Sequence, residues 1–392
     1  MKILIHDGSG HPFIVRLSYE LAKRGHKVTH CFAAFFQGPK GTLKNTHYNL
    51  KNLDIQAIEL DEPYAKYSYF KRLQQDKKHG EILANKIRSI HPDVVISGNT
   101  TLDVQAKVQN ECHKLNIKFI FWVQDYINIA IRKFIKNKII GSIAGWYYDK
   151  LEAKLLINSD AVILISEDFR QETKRWNVPD KNIYVIPNWA PIDELPVVPK
   201  ENQWSIRHNL DKTFNIIYSG TLGLKHNPQL LLNLAKYFKK HNEVRIVVIS
   251  EGLGSDYLLD KKQKENLDNL ILLKYQAFEE LPNTLGTADI LIAILEKEAG
   301  RFSVPSKVLS YLCTNRALLL SVPSENLSSR IVNTNNAGIV VNPEDTDAFI
   351  KAAEDMMHDK ELRLNMAANG RRYAEQTFNI EKIADKFESN FL

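Results

Sequence analysis

Hydrophobic residues along the chain form short runs that alternate with amphipathic stretches. The first run, residues 2–6, is followed by a glycine turn and then by apolar side chains spaced as on one face of a helix. This order repeats through the first half. The strands predicted there are residues 2–6, 27–32, 55–60, 94–97, 118–123, 161–165 and 183–186. The helices predicted there include residues 13–24, 69–90, 101–115 and much of 131–157.

Four prolines between residues 187 and 199 interrupt the pattern and mark a linker. A second strand series follows it. Its predicted strands are residues 214–219, 244–250, 270–273, 290–295, 317–321 and 338–341. Residues 361–392 are predicted to be helical, with breaks near Gly370 and near Phe378-Asn379.

Short apolar strands separated by helices are typical of parallel sheets covered on both faces. The predicted fold class is therefore α/β, with two Rossmann-like doubly wound parallel-sheet domains. Ligands of such sheets bind beyond the carboxyl ends of the strands. We expect the two domains to face one cleft, with the site residues in strand-to-helix loops.

Composition agrees with two ordinary globular domains. The chain has 392 residues, 44% hydrophobic and 25% charged, which exceeds what one core usually organises. The net charge of +6 is too modest to indicate a nucleic-acid binder. No run approaches the roughly 18 apolar residues that span a bilayer, and the amino terminus does not resemble a signal peptide, so a cytoplasmic location is expected. The three cysteines are far apart and are predicted to be reduced core residues.

Basic side chains cluster among apolar residues in one segment. Arg132, Lys133, Lys136 and Lys138 fall within residues 127–143. An anionic membrane surface would attract such a patch, so peripheral membrane contact through residues 131–143 is one hypothesis. A solvated helix face is the other.

The turn after the first strand contains Gly8 and Gly10. A dinucleotide fingerprint needs a third glycine where Phe13 stands, and an acid near the end of the second strand, where none occurs. A nicotinamide cofactor is therefore not expected. The two glycines either present N–H groups to a donor phosphate or only permit a tight turn.

Four motifs resemble one enzyme family when taken in order. They are Leu-Ala-Lys-Arg-Gly-His-Lys-Val at 21–28, Val-Ile-Pro-Asn-Trp at 185–189, Ile-Tyr-Ser-Gly-Thr-Leu-Gly at 217–223 and Val-Pro-Ser-Lys-Val-Leu-Ser-Tyr-Leu at 304–312. Together they resemble glycosyltransferases of the GT-B fold, family 4, the retaining group 1 enzymes. The Pro-Ser-Lys helix resembles that of a subgroup that builds bacterial surface polysaccharides and exopolysaccharides.

The resemblance implies an acceptor-binding domain at residues 1–190, completed by a C-terminal helix at 375–392. It implies that residues 191–374 bind a nucleotide-sugar, with UDP as the expected carrier. Transfer of a hexosyl or N-acetylhexosaminyl group with retention, to a polyprenyl-diphosphate-linked or saccharide acceptor at the inner membrane face, is expected. It also implies that no metal or other cofactor is required.

Lys307 is the first candidate catalytic residue. The leaving diphosphate carries negative charge, and a lysine at a helix start would stabilise it. A solvated helix lysine is the alternative interpretation. Further donor-binding candidates are Gly220, Lys225, Arg301 and Ser306.

The sequence departs from the family in its carboxylates. Many family 4 enzymes carry two glutamates eight residues apart, and here Ser310 stands at the second position and Phe302 at the first. Ser310 is expected to bind the donor by a hydrogen bond to a ribose hydroxyl, as a neutral and hence weaker partner than a carboxylate. We therefore expect Glu296 or Glu298 to contact the sugar, with Glu298 taken as catalytic. Glu251 is expected near the ribose or base.

Asp125 is the candidate that would take the acceptor proton, with Gln124 where relatives often have histidine. A helix N-cap is the alternative role for Asp125. For the whole protein, two alternatives stay open: a non-catalytic nucleotide-sugar-binding protein and a nucleotide-sugar epimerase on the same fold.

Overall fold

The computed structural model describes residues 1–36, 43, 50–65, 68–126, 138–223, 226–299 and 304–392. These residues form two compact units. The first unit comprises Met1–Asn188 and Ile380–Leu392, and the second comprises Trp189–Asn379. The domain limits expected from the sequence, at residues 190 and 375, lie close to these boundaries.

Each unit contains one parallel sheet. The strands of the first are β1 (Lys2–Asp7), β2 (Lys27–Ala33), β3 (Leu53–Ile58), β4 (Val94–Gly98), β5 (Lys118–Val123), β6 (Ala161–Leu164) and β7 (Ile183–Val185). The strands of the second are β8 (Phe214–Ser219), β9 (Val244–Ile249), β10 (Leu270–Leu273), β11 (Ile290–Ile294), β12 (Ala317–Ser321) and β13 (Gly338–Val341).

The two sheets share one strand order over six strands, and the first sheet has β7 as an additional edge strand. The order is β3-β2-β1-β4-β5-β6-β7 in the first and β10-β9-β8-β11-β12-β13 in the second. Chain order reverses between β1 and β4, and again between β8 and β11. At such a switch point the loops leave in opposite directions and open a crevice where ligands bind. The predicted fold class, two doubly wound parallel-sheet domains, is confirmed.

Helices cover both sheets. Those before the linker are α1 (Pro12–Lys23), α2 (Tyr69–Ile90), α3 (Leu102–Lys114), α4 (Lys138–Ile157) and α5 (Arg170–Arg175). Those after it are α6 (Gln203–Arg207), α7 (Pro228–Tyr237), α8 (Leu253–Glu265), α9 (Leu281–Gly286), α10 (Lys307–Leu312), α11 (Leu327–Thr334), α12 (Thr346–His358), α13 (Lys360–Thr377) and α14 (Ile380–Phe391). No helix in the described part of the chain is long and apolar enough to cross a bilayer.

Two predictions differ from the structure by more than one residue. The third strand is Leu53–Ile58 and not residues 55–60. The predicted break near Gly370 does not occur, because α13 continues through it. A Cβ at Gly370 would lie 3.2 Å from Leu312 Cδ2 and 3.4 Å from Ala337 Cβ, so the glycine allows close helix packing. The predicted break at Phe378-Asn379 is present, since α14 begins at Ile380.

The last helix, α14, belongs to the first unit. Phe387 is fully buried, and its ring centroid lies 5.3 Å from that of Trp122 on β5. Arg24, which follows α1, donates to the carboxylates of Asp385 and Glu388 and to the Glu381 carbonyl. The chain therefore returns from the second unit to complete the first. The cysteines are free and buried, as predicted.

Candidate functional site

The loop after β8 lies at the switch point of the second sheet. Gly220 has a φ of +124°, a backbone conformation that favours glycine. Its N–H donates to the Ile249 carbonyl at 2.9 Å, so the loop stays next to the end of β9. The predicted donor-binding residue Gly220 therefore stands where this fold places its ligands.

Lys307, the first residue of α10, reaches this loop. Its Nζ lies 3.5 Å from the centroid of the Tyr218 ring, a cation–π geometry. A Cβ at Gly220 would lie 3.2 Å from both Cε and Nζ of Lys307, so a side chain at residue 220 would crowd the lysine.

The environment of this ammonium group is unusual. Nζ is buried and has no hydrogen-bond partner among the described residues. Burial holds the pKa of Lys307 well below its ordinary value. The residue as a whole is only partly buried, but its charged atom is enclosed. The alternative interpretation of Lys307 as a solvated helix lysine does not describe this side chain.

Tyr311 fixes the same loop from one helical turn further along α10. Its hydroxyl donates to the Ser219 carbonyl and accepts from the Ser219 N–H, both at 3.0 Å. Ser219 is the last residue of β8 and precedes Gly220. No role of Tyr311 or Tyr218 was predicted from the sequence, because their contacts join residues about 90 positions apart.

The candidate carboxylates follow β9 and β11, the strands on either side of β8. Glu251, after β9, is exposed and accepts from the Tyr275 N–H at 3.3 Å. Glu296, after β11, is partly buried, and burial, followed by the charges of Glu298 and Glu344, raises its pKa. Glu298 lies exposed in the short 3-10 helix Lys297–Ala299. Glu296 is thus the better enclosed of the two sugar-binding candidates.

The other predicted donor residues divide into two groups. Ser306 is exposed immediately before α10, and Ser310 is partly buried within it. Lys225 and Arg301 lie outside the described residues, as do residues 131–137 of the predicted membrane-contact segment.

The glycine turn of the first unit uses its own amides. Gly8 N–H donates to Gly98 O and Gly10 N–H to Asp7 O, each at 3.2 Å. The buried Asp7 carboxylate accepts from the N–H groups of Ser9 and His11. A Cβ at Gly8 would lie 2.4 Å from Asn99 O. Of the two interpretations of Gly8 and Gly10, the structure favours the tight turn, because these N–H groups are already bonded within the unit.

Asp125 lies two residues after β5 and is exposed. Gln124, which precedes it, forms a reciprocal amide pair with Asn188, at 2.6 and 3.2 Å. This pair joins the loop of β5 to the end of the first unit. Asp125 is accessible there at a carboxyl strand end.

A buried histidine group near β1 was not anticipated. His6 Nδ1 bonds to Ser97 Oγ at 2.8 Å, and its Nε2 lies 3.2 Å from Nε2 of His79 on α2. Burial lowers the pKa of both imidazoles. Among the described residues, no three His, Cys, Asp or Glu side chains are arranged to hold a metal ion.

The second unit thus offers an enclosed cation beside a glycine loop, with carboxylates at the adjacent strand ends. A buried ammonium without a hydrogen-bond acceptor is costly unless it is compensated. A phosphate oxygen would supply the missing acceptor and charge. The arrangement suits an anionic ligand that carries hydroxyl groups.

Two family models match the chain in order. Residues 12–194 match "Glycosyltransferase Family 4", and residues 200–373 match "Glycosyl transferases group 1". A search of curated proteins found no match.

Several solved structures share the fold at low sequence identity. Sucrose-phosphate synthase from Thermosynechococcus elongatus is 15% identical, with a TM-score of 0.76 over 99% of this chain and 98% of that chain. Anabaena Alr3699/HepE in complex with UDP-glucose is 13% identical, with a TM-score of 0.74 over 100% of both chains. WaaG, a glycosyltransferase involved in lipopolysaccharide biosynthesis, is 13% identical, with a TM-score of 0.69 over 98% of this chain and 99% of that chain.

Proposed function

Because both halves of the chain match glycosyltransferase models in order, the chain is a glycosyltransferase of the GT-B fold. We propose that its donor is a UDP-sugar and that the second unit binds this donor. The observation that carries this proposal is Lys307, whose buried Nζ has no hydrogen-bond acceptor among the described residues. The UDP-glucose complex of the similar Anabaena protein supports the choice of nucleotide.

In the proposed reaction, Lys307 contacts the diphosphate. Its charge offsets the negative charge that grows on the phosphate oxygen as the bond to the anomeric carbon breaks. Tyr218 holds the ammonium group from its other side. In this proposal Glu296, which is partly enclosed, hydrogen-bonds sugar hydroxyls, and Glu251 and Ser310 contact the nucleoside.

The acceptor hydroxyl forms the new bond to the anomeric carbon on the face from which the diphosphate leaves, so configuration is retained. Its proton passes to the leaving phosphate oxygen or to Asp125. No metal ion is needed in this scheme, because the lysine supplies the positive charge. The acceptor proposed is a lipid-linked or saccharide acceptor in bacterial polysaccharide synthesis, at the inner face of the membrane.

Sugar transfer from a panel of UDP-sugars to membrane extracts and free saccharides tests the proposal. We expect one donor to yield a glycosylated product with release of UDP. UDP binding without product would favour a non-catalytic protein. An isomerised sugar and free UDP in the absence of acceptor would instead identify an epimerase.

Lys307→Met tests the donor site directly. Methionine keeps the volume and removes the charge, so UDP affinity should fall about 10- to 100-fold, the usual worth of a charge-assisted hydrogen bond. The thermal midpoint should stay equal or rise, because a buried ammonium without an acceptor is removed. Isothermal titration calorimetry and thermal scanning measure both quantities.

Lys351→Met is the matched control, since Lys351 is an exposed lysine of the same unit that pairs with Asp355. Its UDP affinity should equal that of the wild type. If Lys307→Met also bound UDP normally, the donor-site assignment would be wrong.

A further inference from the structure

One face of α4 exposes large apolar side chains. Ile143, Trp146 and Tyr147 are 65%, 62% and 50% exposed. Their spacing of three and four places them side by side on the helix. Tyr148 and Leu155 face the opposite side and are buried. Apolar side chains exposed singly are ordinary on protein surfaces, but three adjacent ones indicate a contact surface.

The same face continues with positive charge. Lys150 and Lys154 follow at helical spacing and are exposed. We call the five residues Ile143, Trp146, Tyr147, Lys150 and Lys154 the α4 stripe. None of the described acidic residues of α4 lies on the α4 stripe.

Acids near the stripe are already engaged. Asp149 pairs with Arg175 at 2.5 Å, and Asp103 accepts from the Tyr148 hydroxyl at 2.8 Å. Glu81 pairs with Lys107 at 2.5 Å. The lysines of the stripe are therefore not neutralised by these neighbours, and the surface presents positive charge beside apolar anchors.

A groove of about 510 Å³ borders the stripe at Tyr147 and Lys154. It lies between α2, α3 and α4, and its lining includes Lys77, Lys107 and His113. Of these, Lys77 is exposed, whereas Lys107 already pairs with Glu81. Arg132, Lys133 and Lys136 precede α4 in the sequence and lie outside the residues that the structure describes.

We propose that the α4 stripe rests in the interface of an anionic lipid bilayer. Trp146 and Ile143 enter the boundary between headgroups and acyl chains, where tryptophan is favoured, and Lys150 and Lys154 contact lipid phosphates. This membrane contact rests on the proposed function, because a membrane surface would present the lipid-linked acceptor to the first unit. A second copy of the chain is the competing occupant, and the experiment separates the two.

Vesicle cosedimentation tests the proposal with the full chain. We expect binding to vesicles of phosphatidylcholine and phosphatidylglycerol in equal parts, and little binding to phosphatidylcholine alone. Ile143→Ser/Trp146→Ser should lower the partition coefficient at least tenfold. Lys150→Glu/Lys154→Glu should lower it by about fivefold for each lysine, as expected for a basic residue at an anionic surface.

Leu253→Ser and Leu364→Ser provide the matched control, because these leucines are 64% and 59% exposed but lie in the second unit. They should partition as the wild type does. Equal binding of wild type and Ile143→Ser/Trp146→Ser would overturn the proposal. So would a wild-type dimer that fails to bind vesicles and is dissociated by the same double substitution.

Tryptophan fluorescence gives a second readout. Of the five tryptophans, Trp146 is exposed, while the other four are at most 8% exposed. Anionic vesicles should shift the emission to shorter wavelength, and brominated lipids should quench it. Trp146→Phe should lose both effects, and their persistence in that variant would contradict the insertion of Trp146.

The proposed function is checked in parallel. UDP titration and sugar transfer to a soluble acceptor should be unchanged in the stripe variants, since none of these residues belongs to the donor site. Failure of vesicle binding with normal UDP binding overturns only this inference. Failure of the wild type to bind UDP overturns the proposed donor.

Discussion

Lys307 combines a charge with an enclosed position, two properties that oppose each other in a folded protein. Its Nζ has the face of Tyr218 on one side and no acceptor among the described residues. Burial of this kind disfavours the charged form and so lowers the pKa. The binding of an anion would reverse that shift, which makes protonation of Lys307 a reporter of donor binding.

UDP binding should therefore take up a proton. Between the lowered pKa of free Lys307 and its raised pKa in the complex, the ligand selects the protonated form. UDP affinity should fall as pH rises through that window. Calorimetry in two buffers of different ionisation enthalpy measures the uptake, which Lys307→Met should abolish. Identical enthalpies in both buffers throughout the wild-type pH range would count against the role of Lys307.

Tyr311 should position the donor loop without touching the donor. Tyr311→Phe leaves the N–H and carbonyl of Ser219 without the hydroxyl and should cost about 1–2 kcal/mol of stability. Because Ser219 precedes Gly220, we also expect the KM for the donor to rise about fivefold, with a smaller change in KM for the acceptor. Steady-state kinetics and urea unfolding measure these effects.

Tyr126→Phe is the comparison for Tyr311→Phe. Tyr126 is also buried, and its hydroxyl donates to the Phe169 carbonyl at 2.6 Å in the first unit. It should lose similar stability with no change in UDP affinity. If the KM for the donor rose equally in both variants, Tyr311 would have only a structural role.

The sequence identifies several candidate residues of the site but not the contacts that they make. The Pro-Ser-Lys motif drew attention to Lys307, yet its enclosure depends on Tyr218, 89 positions earlier in the chain. The glycines at 8 and 10 were ambiguous for the same reason. Only the fold brings Gly98 and Asn99 beside them and shows where their N–H groups are used.

The presence of the helices and strands was easier to predict than the residues at which they begin and end. The strands are short apolar runs, and buried parallel strands produce that signal strongly. At Gly370 the sequence pattern predicted a helix end, because glycine often ends a helix, whereas here the glycine allows α13 to pack against Leu312. A local sequence pattern does not reveal which residue of another helix will pack against a given position.

Phe387 should be the main anchor of α14. Its ring is fully buried beside Trp122, so Phe387→Ala should destabilise the first unit by about 3–5 kcal/mol. Urea unfolding followed by tryptophan fluorescence measures the loss. Leu364→Ala, at an exposed position of α13, should change stability by less than about 0.5 kcal/mol. A loss for Phe387→Ala no larger than this would show that Phe387 is not the main anchor of α14.

In the whole molecule, two units of the same architecture have different roles in the proposed function: the second binds the donor and the first binds the acceptor. The sequence predicted both, because the proline-rich stretch separates two strand series. Their distinct roles do not follow from architecture, since both sheets offer a switch point. They follow from chemistry: the second unit has the enclosed cation, whereas the glycine turn of the first has already used its N–H groups.

Hydrogen exchange with and without UDP tests that division. UDP should slow exchange in the loops after β8 and β9 and at the start of α10. The turn at residues 8–11 should exchange at an unchanged rate. Mass spectrometry of peptic peptides measures this difference. Protection centred on residues 8–11 would restore a donor role to Gly8 and Gly10.

The return of α14 to the first unit has a consequence for synthesis on the ribosome. The first unit lacks its last helix until Trp189–Asn379 has been translated. At roughly 5–20 residues per second, that interval lasts about 10–40 s. During this interval, Trp122 and its apolar neighbours lack the packing contact with Phe387. The nascent first half therefore exposes apolar surface that chaperones can bind. The second unit, continuous in sequence, can fold before the first is complete.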